Sequence, residues 1–463
     1  MKRTFRHLLT VTAGLTLARC GRSGSMAPPT PVASVVVTPA EASLNVGSTV
    51  QLTATTTDAS GNALTGRVVS WASNNTTAAT VSASGLVTGG AAGSTTVTAM
   101  SEGKSGTASI TVATLTFVSV SAGAYHTCGV VTGGAAYCWG LNQFGELGNG
   151  DTTSSTTPLA VVGGLAFASV SAVGGTCGVT TANAAYCWGN NTYGSLGNGT
   201  ATSSTTPVPV SGGRSFTLVS EGNGSPCALT TGGAAYCWGY NGSGQLGNGT
   251  MTSSTTPGAV SGNLIFDVLS AGVSHTCAVT TAGAAYCWGA GGLGNATITT
   301  SSTPVAVTGS LIFASVSSGA GHTCGITTAG AAYCWGANTA GELGDGTTAS
   351  SATPVAVAGG LAFAAVSAGL HGLHSCGITT AGVAYCWGDN GLGQLGTGTT
   401  NMSRTPVAVA GSLRFAAISA GADYTCGLTM GSVAYCWGAN SYGGLGNGST
   451  INSNVPVKVD GQP

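Results

Sequence analysis

A segment with two cysteines ten residues apart recurs seven times along this chain, at intervals of about 50 residues. The first copy runs from Tyr125 to Gly140, and each later copy ends on the same Tyr-Cys-Trp-Gly sequence. The cysteine pairs are Cys128 and Cys138, Cys177 and Cys187, Cys227 and Cys237, Cys277 and Cys287, Cys324 and Cys334, Cys376 and Cys386, and Cys426 and Cys436. A fixed period of this length indicates a repeat architecture, in which each unit buries an apolar face against the next.

The spacing within each copy predicts a hairpin closed by a disulfide. Residues that face each other in an antiparallel pair have a constant index sum, so Cys128 lies opposite Cys138 across a three-residue loop at 132–134. The third loop position usually needs a left-handed backbone, which glycine and asparagine tolerate. That position holds Gly134, Asn183, Gly233, Gly283, Gly330, Gly382 and Ser432. Paired thiolates on zinc are the alternative, but no histidine stands in register in every copy.

Cysteine usage and the N-terminus predict export. Regularly paired cysteines imply an oxidising compartment outside the cytoplasm. Residues 1–20 have the basic start and the apolar run, Leu8 to Ala18, of a signal peptide. Cys20 followed by Gly21 resembles the lipidation site of bacterial lipoproteins, although Arg19 stands where a small residue is usual. We expect the outer membrane or cell surface for a lipidated chain, otherwise the periplasm or the medium, with residues 21–32 as a linker.

Residues 33–113 form a separate region without cysteine, in which short alternating strands are divided by turn residues. This pattern favours a β-sandwich. The segments that resemble the group 2 bacterial immunoglobulin-like domain include Val36-Val37-Thr38-Pro39, Ser70-Trp71-Ala72-Ser73-Asn74 and Gly85-Leu86-Val87-Thr88-Gly89. The resemblance implies a stalk or spacer.

The repeats occupy residues 116–463, and each unit contains four short strands, which predicts a seven-bladed β-propeller. The recurring Ser-Ala-Gly-x-x-His-Thr and Tyr-x-Trp-Gly-x-Asn-x-x-Gly-x-Leu-Gly motifs resemble the regulator of chromosome condensation repeat. The predicted fold class is therefore all-β, an immunoglobulin-like β-sandwich followed by a propeller with one hairpin disulfide per repeat. Repeats of that family usually begin at the Tyr-x-Trp-Gly strand. We therefore expect the first and last half-repeats to combine into one blade, joining residues near 120 to residues near 457.

Histidine recurs at one slot of four repeats, as His126, His275, His322 and His374. In the other repeats the slot is assigned to Pro226 or Tyr424, or is lost to a deletion near Gly175. A catalytic or metal-binding ring would tolerate these losses poorly, so we expect packing histidines bonded to backbone. Tyr137, Trp139 and Leu147, with their equivalents, are expected in the core. Spacing fixes no nucleophile–base pair or acid pair, so we predict no enzyme, no cofactor and no metal.

Charge is sparse, since charged residues make up 5% of the chain against about 25% in ordinary soluble proteins. From residue 116 onward four basic residues accompany nine acidic ones, too few cations for a phosphate-binding stripe. We therefore expect no nucleic-acid binding. Nuclear members of the resembled family bind chromatin and act as exchange factors for a small GTPase, so nucleotide exchange is an alternative that rests on the resemblance alone.

The repeats also predict a recognition face. Loops of an antiparallel meander alternate between two faces, so the Ala-Gly-x-x-His loops and the long loops after Trp-Gly share one face. Variable positions concentrate there, namely Phe144, Tyr193, Tyr240 and Tyr442, the best-placed candidates, with Tyr125, His371, Asp389, Leu392 and Asp423. Scattered aromatics among small polar residues are typical of recognition surfaces, and neutral drift of the loops is the alternative.

These features together predict a monomeric adhesion or display protein that binds a protein or a glycan. We expect contact with a membrane only where the chain carries an N-terminal lipid. Inhibition of an extracellular enzyme is the alternative within the binding class.

Overall fold

A computed structural model describes residues 29–463, and every regular element in this range is a β-strand. The predicted signal peptide, the Cys20 lipidation site and linker residues 21–28 lie outside the described residues. Within residues 29–463 there is no helix with the length and hydropathy needed to cross a membrane.

The N-terminal domain is a small β-sandwich, as the sequence predicts. Its ten strands form three sheets, ordered β1-β4-β5, β2-β10-β9-β6 and β3-β8-β7, and β2 pairs with β10 in parallel. Leu52, Val87, Val97 and Ile110 are almost completely buried between them and form the core together with the partly buried Trp71. The strands are β1 Ser34–Thr38, β2 Glu41–Asn45, β3 Thr49–Gln51, β4 Thr53–Thr57, β5 Ala63–Leu64, β6 Ser70–Ser73, β7 Ala79–Val81, β8 Leu86–Gly89, β9 Gly93–Ser101 and β10 Lys104–Ala113.

The remaining strands form seven four-stranded antiparallel sheets, which are the blades of a propeller. Blade 1 contains β11 Phe117–Ala122, β12 His126–Val131, β13 Ala136–Gly140 and β14 Ser155–Ala160; blade 2 contains β15 Phe167–Ala172, β16 Gly175–Thr180, β17 Ala185–Gly189 and β18 Ser204–Pro209; blade 3 contains β19 Phe216–Ser220, β20 Cys227–Thr230, β21 Ala235–Gly239 and β22 Ser254–Ala259; blade 4 contains β23 Phe266–Ala271, β24 His275–Thr280, β25 Ala285–Ala290 and β26 Thr300–Ala306. Blade 5 contains β27 Phe313–Ser318, β28 His322–Thr327, β29 Ala332–Gly336 and β30 Ser351–Ala356; blade 6 contains β31 Phe363–Ala368, β32 His374–Thr379, β33 Ala384–Gly388 and β34 Ser403–Ala408; blade 7 contains β35 Phe415–Ala420, β36 Tyr424–Thr429, β37 Ala434–Gly438 and β38 Ser453–Lys458.

The hairpin between the second and third strands of each blade has the predicted register. Cys128 pairs with Cys138 in the ladder, and all seven cysteine pairs form disulfides with Cα atoms 4.0–4.1 Å apart. The third loop residue has a positive φ in every blade, and at Ser432, which has a side chain, φ is 60°. The hairpin-disulfide prediction is confirmed.

Neighbouring blades are joined through the tryptophan of the Tyr-Cys-Trp-Gly strand. Trp188 is fully buried and donates its indole N–H to the Glu146 carbonyl of blade 1, at 2.9 Å. A Cβ on Gly148 would lie 2.7 Å from that indole nitrogen, which explains the glycine after the buried leucine. The equivalent bond, 2.8–2.9 Å long, recurs at all seven interfaces, so the tryptophan position predicted as core does lie between blades.

The ring closes by packing, and the expectation of a shared blade was wrong. Blade 1 and blade 7 are each built from one continuous stretch, because the chain supplies a complete first strand at Phe117 and a complete last strand ending at Lys458. Trp139 Nε1 donates to Gly444 O at 2.9 Å across the closure. Ala122 N donates to Ser419 Oγ, also at 2.9 Å. The final strand therefore belongs to the ring without exchanging strands with the first.

The immunoglobulin-like domain packs on blade 1 and on the segment after β38. Leu115 N donates to Gly461 O at 2.7 Å, and Val46 packs against the core cluster that contains Leu115. Gly47 lies so close to blade 1 that a Cβ there would be 2.7 Å from Pro158 O. Because β11 begins and β38 ends on the side of the tight turns, the domain is attached away from the long loops.

Candidate recognition face

We call the surface formed by the loops between the first and second strands and between the third and fourth strands of each blade the loop face. Six of its seven long loops are held by a buried asparagine. Asn142 Nδ2 donates to Asp151 O at 3.1 Å and to Thr153 O at 3.0 Å, while its Oδ1 accepts Leu147 N at 2.9 Å. The equivalents are Asn191, Asn241, Asn338, Asn390 and Asn440, all 0–1% exposed. Blade 4 has a shorter loop at residues 290–293 without this amide. The loop backbones are therefore fixed by buried hydrogen bonds.

The repeated histidines pack between blades, as predicted, but their partners are hydroxyls and not backbone groups. His126 Nε2 lies 2.8 Å from Thr176 Oγ1, and the Thr176 hydroxyl donates to Glu146 O at 2.9 Å. Since a hydroxyl has one proton to donate, Thr176 accepts from the ring, and His126 carries its proton on Nε2. The same contacts join His275 to Thr323, His322 to Ser375 and His374 to Thr425, at 2.7, 2.9 and 3.0 Å.

Burial holds these imidazoles neutral. It lowers the pKa of His126, His275 and His374 to about 4. The pKa of His322 falls to about 3, mainly through burial and further through the neighbouring His275 and His374. Residues 29–463 contain no group of three potential ligands placed to hold a metal ion.

Blade 3 departs from the assigned pattern. Trp238 N donates to Pro226 O, and Cys227 pairs with Cys237, so Ser225 and not Pro226 occupies the histidine slot.

A buried carboxylate, that of Glu221, lies at the junction of blade 3 with blade 2. Glu221 is 1% exposed and stands where most repeats have alanine. It accepts hydrogen bonds from Gly174 N at 3.0 Å and from Gly224 N at 2.9 Å. Burial raises the pKa of Glu221 to about 7 despite these bonds.

Exposed aromatic side chains concentrate on the loop face. Among the described residues Tyr125, Phe144, Tyr193 and Tyr442 are the aromatics more than a third exposed, and all four come from its loops. The other predicted positions, Tyr240, His371, Asp389, Leu392 and Asp423, are partly or largely exposed on the same loops.

Six of the nine predicted residues gather at two places. The Tyr193 and Tyr240 rings contact each other at a tilt of 55°, with 4.9 Å between their centroids. They line a cavity of about 440 Å³ at the junction of blades 2 and 3, with Asn190 and Asn223. Tyr125 and Tyr442 meet edge to face at 5.3 Å, across the ring closure. They line a second cavity, of about 130 Å³, together with Leu392 and Asp423.

The structure does not place Phe144 or His371 in either cavity, and His371 occupies its two-residue insertion with φ 66°. Asp389 lies outside the lining of the second cavity, but its charge acts on Asp423. Gly444 and Glu221 were not predicted as site residues, and Tyr424 was noted only as an occupant of the histidine slot. Glu221 stands where most repeats have alanine, and Tyr424 stands where four repeats have histidine, so these departures from the repeat were the signal that could have found them.

Comparison with known families agrees with this architecture. The bacterial Ig-like domain (group 2) matches residues 31–112. The regulator of chromosome condensation (RCC1) repeat matches residues 133–180, 183–229, 232–279, 329–377, 381–428 and 433–463, more than half of the chain. A second model of that repeat matches residues 117–146, 313–342 and 363–394. The chain belongs to the RCC1 repeat family.

Solved structures show the same propeller fold. Human WBSCR16 is 20% identical with a TM-score of 0.62, over 68% of this chain and 86% of that one. Yeast RCC1 (Prp20), in its complex with Kap60, is 19% identical with a TM-score of 0.58, over 66% and 78%. Prp20p from Saccharomyces cerevisiae, studied with its binding to Gsp1p and histones, gives the same identity and TM-score over 66% and 80%. No curated protein matches the chain.

Proposed function

We propose that this RCC1-repeat protein is an exported binding protein whose loop face recognises a partner molecule, with the immunoglobulin-like domain as a spacer. The observation that carries the proposal is the pairing of exposed tyrosines on one face. Tyr193 meets Tyr240, and Tyr125 meets Tyr442, in a propeller whose repeated tryptophans are all fully buried. Exposed aromatics are the side chains that contribute most to binding energy at protein interfaces.

Two further features support recognition by this face. The buried asparagines hold the loops in place, so little ordering entropy is lost when a partner binds. The immunoglobulin-like domain packs at the opposite end of the propeller and leaves the loop face uncovered. Yeast RCC1, which has the same fold, forms a complex with Kap60, and Prp20p has been studied for binding to Gsp1p and histones. Binding to a protein is therefore the form of recognition that we propose.

The test is capture of a partner by matched variants. Purified mature protein is immobilised and exposed to surface extracts of the source cell under cross-linking conditions. Replacing Tyr193 and Tyr240 together by serine should weaken capture at least tenfold without lowering the melting temperature, since truncations of buried interface aromatics cost about 1–4 kcal/mol each. The control variant, Thr281→Ala with Thr328→Ala, changes exposed tight-turn residues of the other face. If capture survives the tyrosine changes but fails in the control, the partner binds the face of the tight turns, and the proposal is wrong.

Export and anchoring belong to the same proposal. Seven disulfides and a bacterial immunoglobulin-like domain support a location outside the cytoplasm. We propose further that residues 1–20 direct export and that Cys20 is lipidated. The lipidated protein should partition into detergent, and Cys20→Ser should release it to the aqueous phase. A mature N-terminus mapped beyond Cys20 would instead indicate a secreted form without a lipid.

A further inference from the structure

The cavity at the ring closure is built by three blades. Tyr125 of blade 1, Leu392 of blade 6 and Tyr442 of blade 7 form its walls, and Tyr424 lies beneath them. Tyr125 is 52% exposed and Tyr442 48% exposed, so both rings are half open to solvent. The cavity volume is about 130 Å³, and it opens on the loop face.

Two small residues keep this cavity open. Gly444 stands where blades 1 and 3 have Glu146 and Gln245, whose side chains are buried in their own loops. A Cβ on Gly444 would lie 3.5 Å from the Tyr424 ring, so any longer side chain would enter the space beside that ring. Ala439 likewise contributes only a methyl group to the lining. The opening therefore depends on small side chains at positions where blades 1 and 3 have larger ones.

The cavity lining contains one carboxylate, that of Asp423, and no basic side chain. The Asp423 carboxylate makes no hydrogen bond or ion pair within the described part of the chain. Burial, and then the negative charge of Asp389, raise the pKa of Asp423. Asp389 receives a hydrogen bond from Gln394 Nε2 at 2.8 Å, which leaves its negative charge uncompensated. None of the four basic residues of the propeller lines the cavity, and Arg214 instead stacks on Tyr236, 4.3 Å from the ring centroid.

The other polar groups of the lining carry no charge. The Asn440 amide is already used, since its Nδ2 donates to Ser449 O and Ile451 O and its Oδ1 accepts Leu445 N. That leaves the Asp423 carboxylate and the hydroxyls of Ser441, Tyr125 and Tyr442, and among these only Asp423 carries a charge. Tyrosine faces beside an unpaired carboxylate attract a cation with an apolar stem.

We propose that this cavity takes the basic end of a lysine or arginine side chain from a partner protein. The stem of that side chain packs on Leu392 and the two tyrosine rings, and its charged head pairs with Asp423. The inference rests on the proposed function, because it specifies what the loop face recognises. A charge-assisted hydrogen bond in a half-buried site is stronger than an exposed ion pair, so one carboxylate can determine the preference for a basic residue.

The test uses defined peptides in place of the unidentified partner. Fluorescein-labelled peptides with three lysines spaced by glycine and serine are compared by anisotropy with peptides in which norleucine replaces each lysine. Norleucine keeps the apolar stem and removes the charge. The lysine peptide should bind at least tenfold more tightly than the norleucine peptide. Asp423→Asn should abolish this difference, whereas the control Asp267→Asn, which removes an exposed carboxylate elsewhere, should preserve it.

Three results would overturn the inference: no binding of the lysine peptide, equal binding of both peptides, or equal loss in the two aspartate variants. The third result would indicate attraction to net charge rather than to this cavity. These results leave the tyrosine-dependent capture experiment unaffected, so failure of the basic-residue inference is distinguishable from failure of the proposed function. A melting curve of Asp423→Asn establishes that the variant is folded.

Discussion

Ser48 Oγ of the immunoglobulin-like domain lies 2.7 Å from Tyr137 Oη of blade 1, and this hydrogen bond joins the two domains. Tyr137 is the tyrosine of the Tyr-Cys-Trp-Gly strand in blade 1, and it is fully buried. The six equivalent tyrosines of the described chain are partly exposed. Burial raises the pKa of Tyr137, against the effect of the hydrogen bond from Ser48. The repeat therefore acquires an interdomain contact where the preceding domain covers it.

This contact predicts an asymmetry between blades. Tyr137→Phe should destabilise the packing of the two domains by about 1 kcal/mol, the usual net contribution of one hydrogen bond. The matched control is Tyr333→Phe in blade 5, a partly exposed equivalent to which the structure assigns no side-chain hydrogen bond. Calorimetry of the full mature chain should show a lower transition temperature for the first variant only. Equal shifts in both variants would mean that the hydrogen bond to Ser48 contributes nothing.

The sequence predicts those features that are encoded within one repeat. The register of Cys128 with Cys138, the left-handed position at Gly134 and the burial of Trp188 depend on contacts within a hairpin or between consecutive repeats, and all are as predicted. Exposed aromatics on one face follow from the alternation of loops in a meander. These features could be predicted because each is repeated seven times and depends on local chain geometry.

Features that depend on distant parts of the chain were not predicted. Ring closure was assigned to a shared blade, because a sequence period does not specify the blade boundary in which its first and last strands lie. The Ser48–Tyr137 contact depends on two surfaces that share no repeat. The cavity beside Asp423 arises from blades 6, 7 and 1 together, and its opening depends on a missing side chain at Gly444.

The disulfides give a prediction about covalent structure and stability. Peptide mapping of exported protein without reduction should return all seven pairs within their own repeats, and free thiols at these positions would contradict it. Replacing Cys277 and Cys287 together by alanine should lower the free energy of unfolding by about 2–3 kcal/mol, because the bond closes a loop of about ten residues in the unfolded chain. Denaturant unfolding measures this change.

The buried histidines predict acid destabilisation. Their folded pKa values, about 4 for His126, His275 and His374 and about 3 for His322, lie below the ordinary value of 6.5. The unfolded chain therefore binds more protons than the folded chain between these values. The stability that these groups contribute is present above pH 6.5 and is lost as the pH falls toward 4. Melting temperatures should accordingly decrease from pH 7 to pH 4.5.

Replacement of one histidine tests this origin of the pH dependence. His322→Gln retains a side-chain N–H that can donate to Ser375 and removes the titrating ring. The variant should lose less stability on acidification than the unmodified protein, even where its melting temperature at pH 7 is lower. If both proteins show the same change in melting temperature per pH unit, the histidines do not cause the acid sensitivity.

Glu221 should have the opposite effect, at one blade junction. Its folded pKa, about 7, lies above the ordinary value of 4.5, so the folded chain binds more protons than the unfolded chain between these values. Its contribution to stability is present below pH 4.5 and is lost as the pH rises through 7, with a total of roughly 3 kcal/mol at 1.36 kcal/mol per pKa unit. Because the histidines act in the other direction, the effect appears as a difference between the unmodified protein and Glu221→Gln.

That difference can be measured by denaturant unfolding between pH 5 and pH 8. The unmodified protein should lose stability relative to Glu221→Gln as the pH rises, because burial disfavours the ionised Glu221 carboxylate and the variant has no group that ionises there. Gly174 and Gly224 also line the cavity of the paired Tyr193 and Tyr240, so this titration takes place beside that cavity. Asp267→Asn, an exposed substitution, provides the control. A constant difference across the pH range would show that Glu221 is not the group that titrates there.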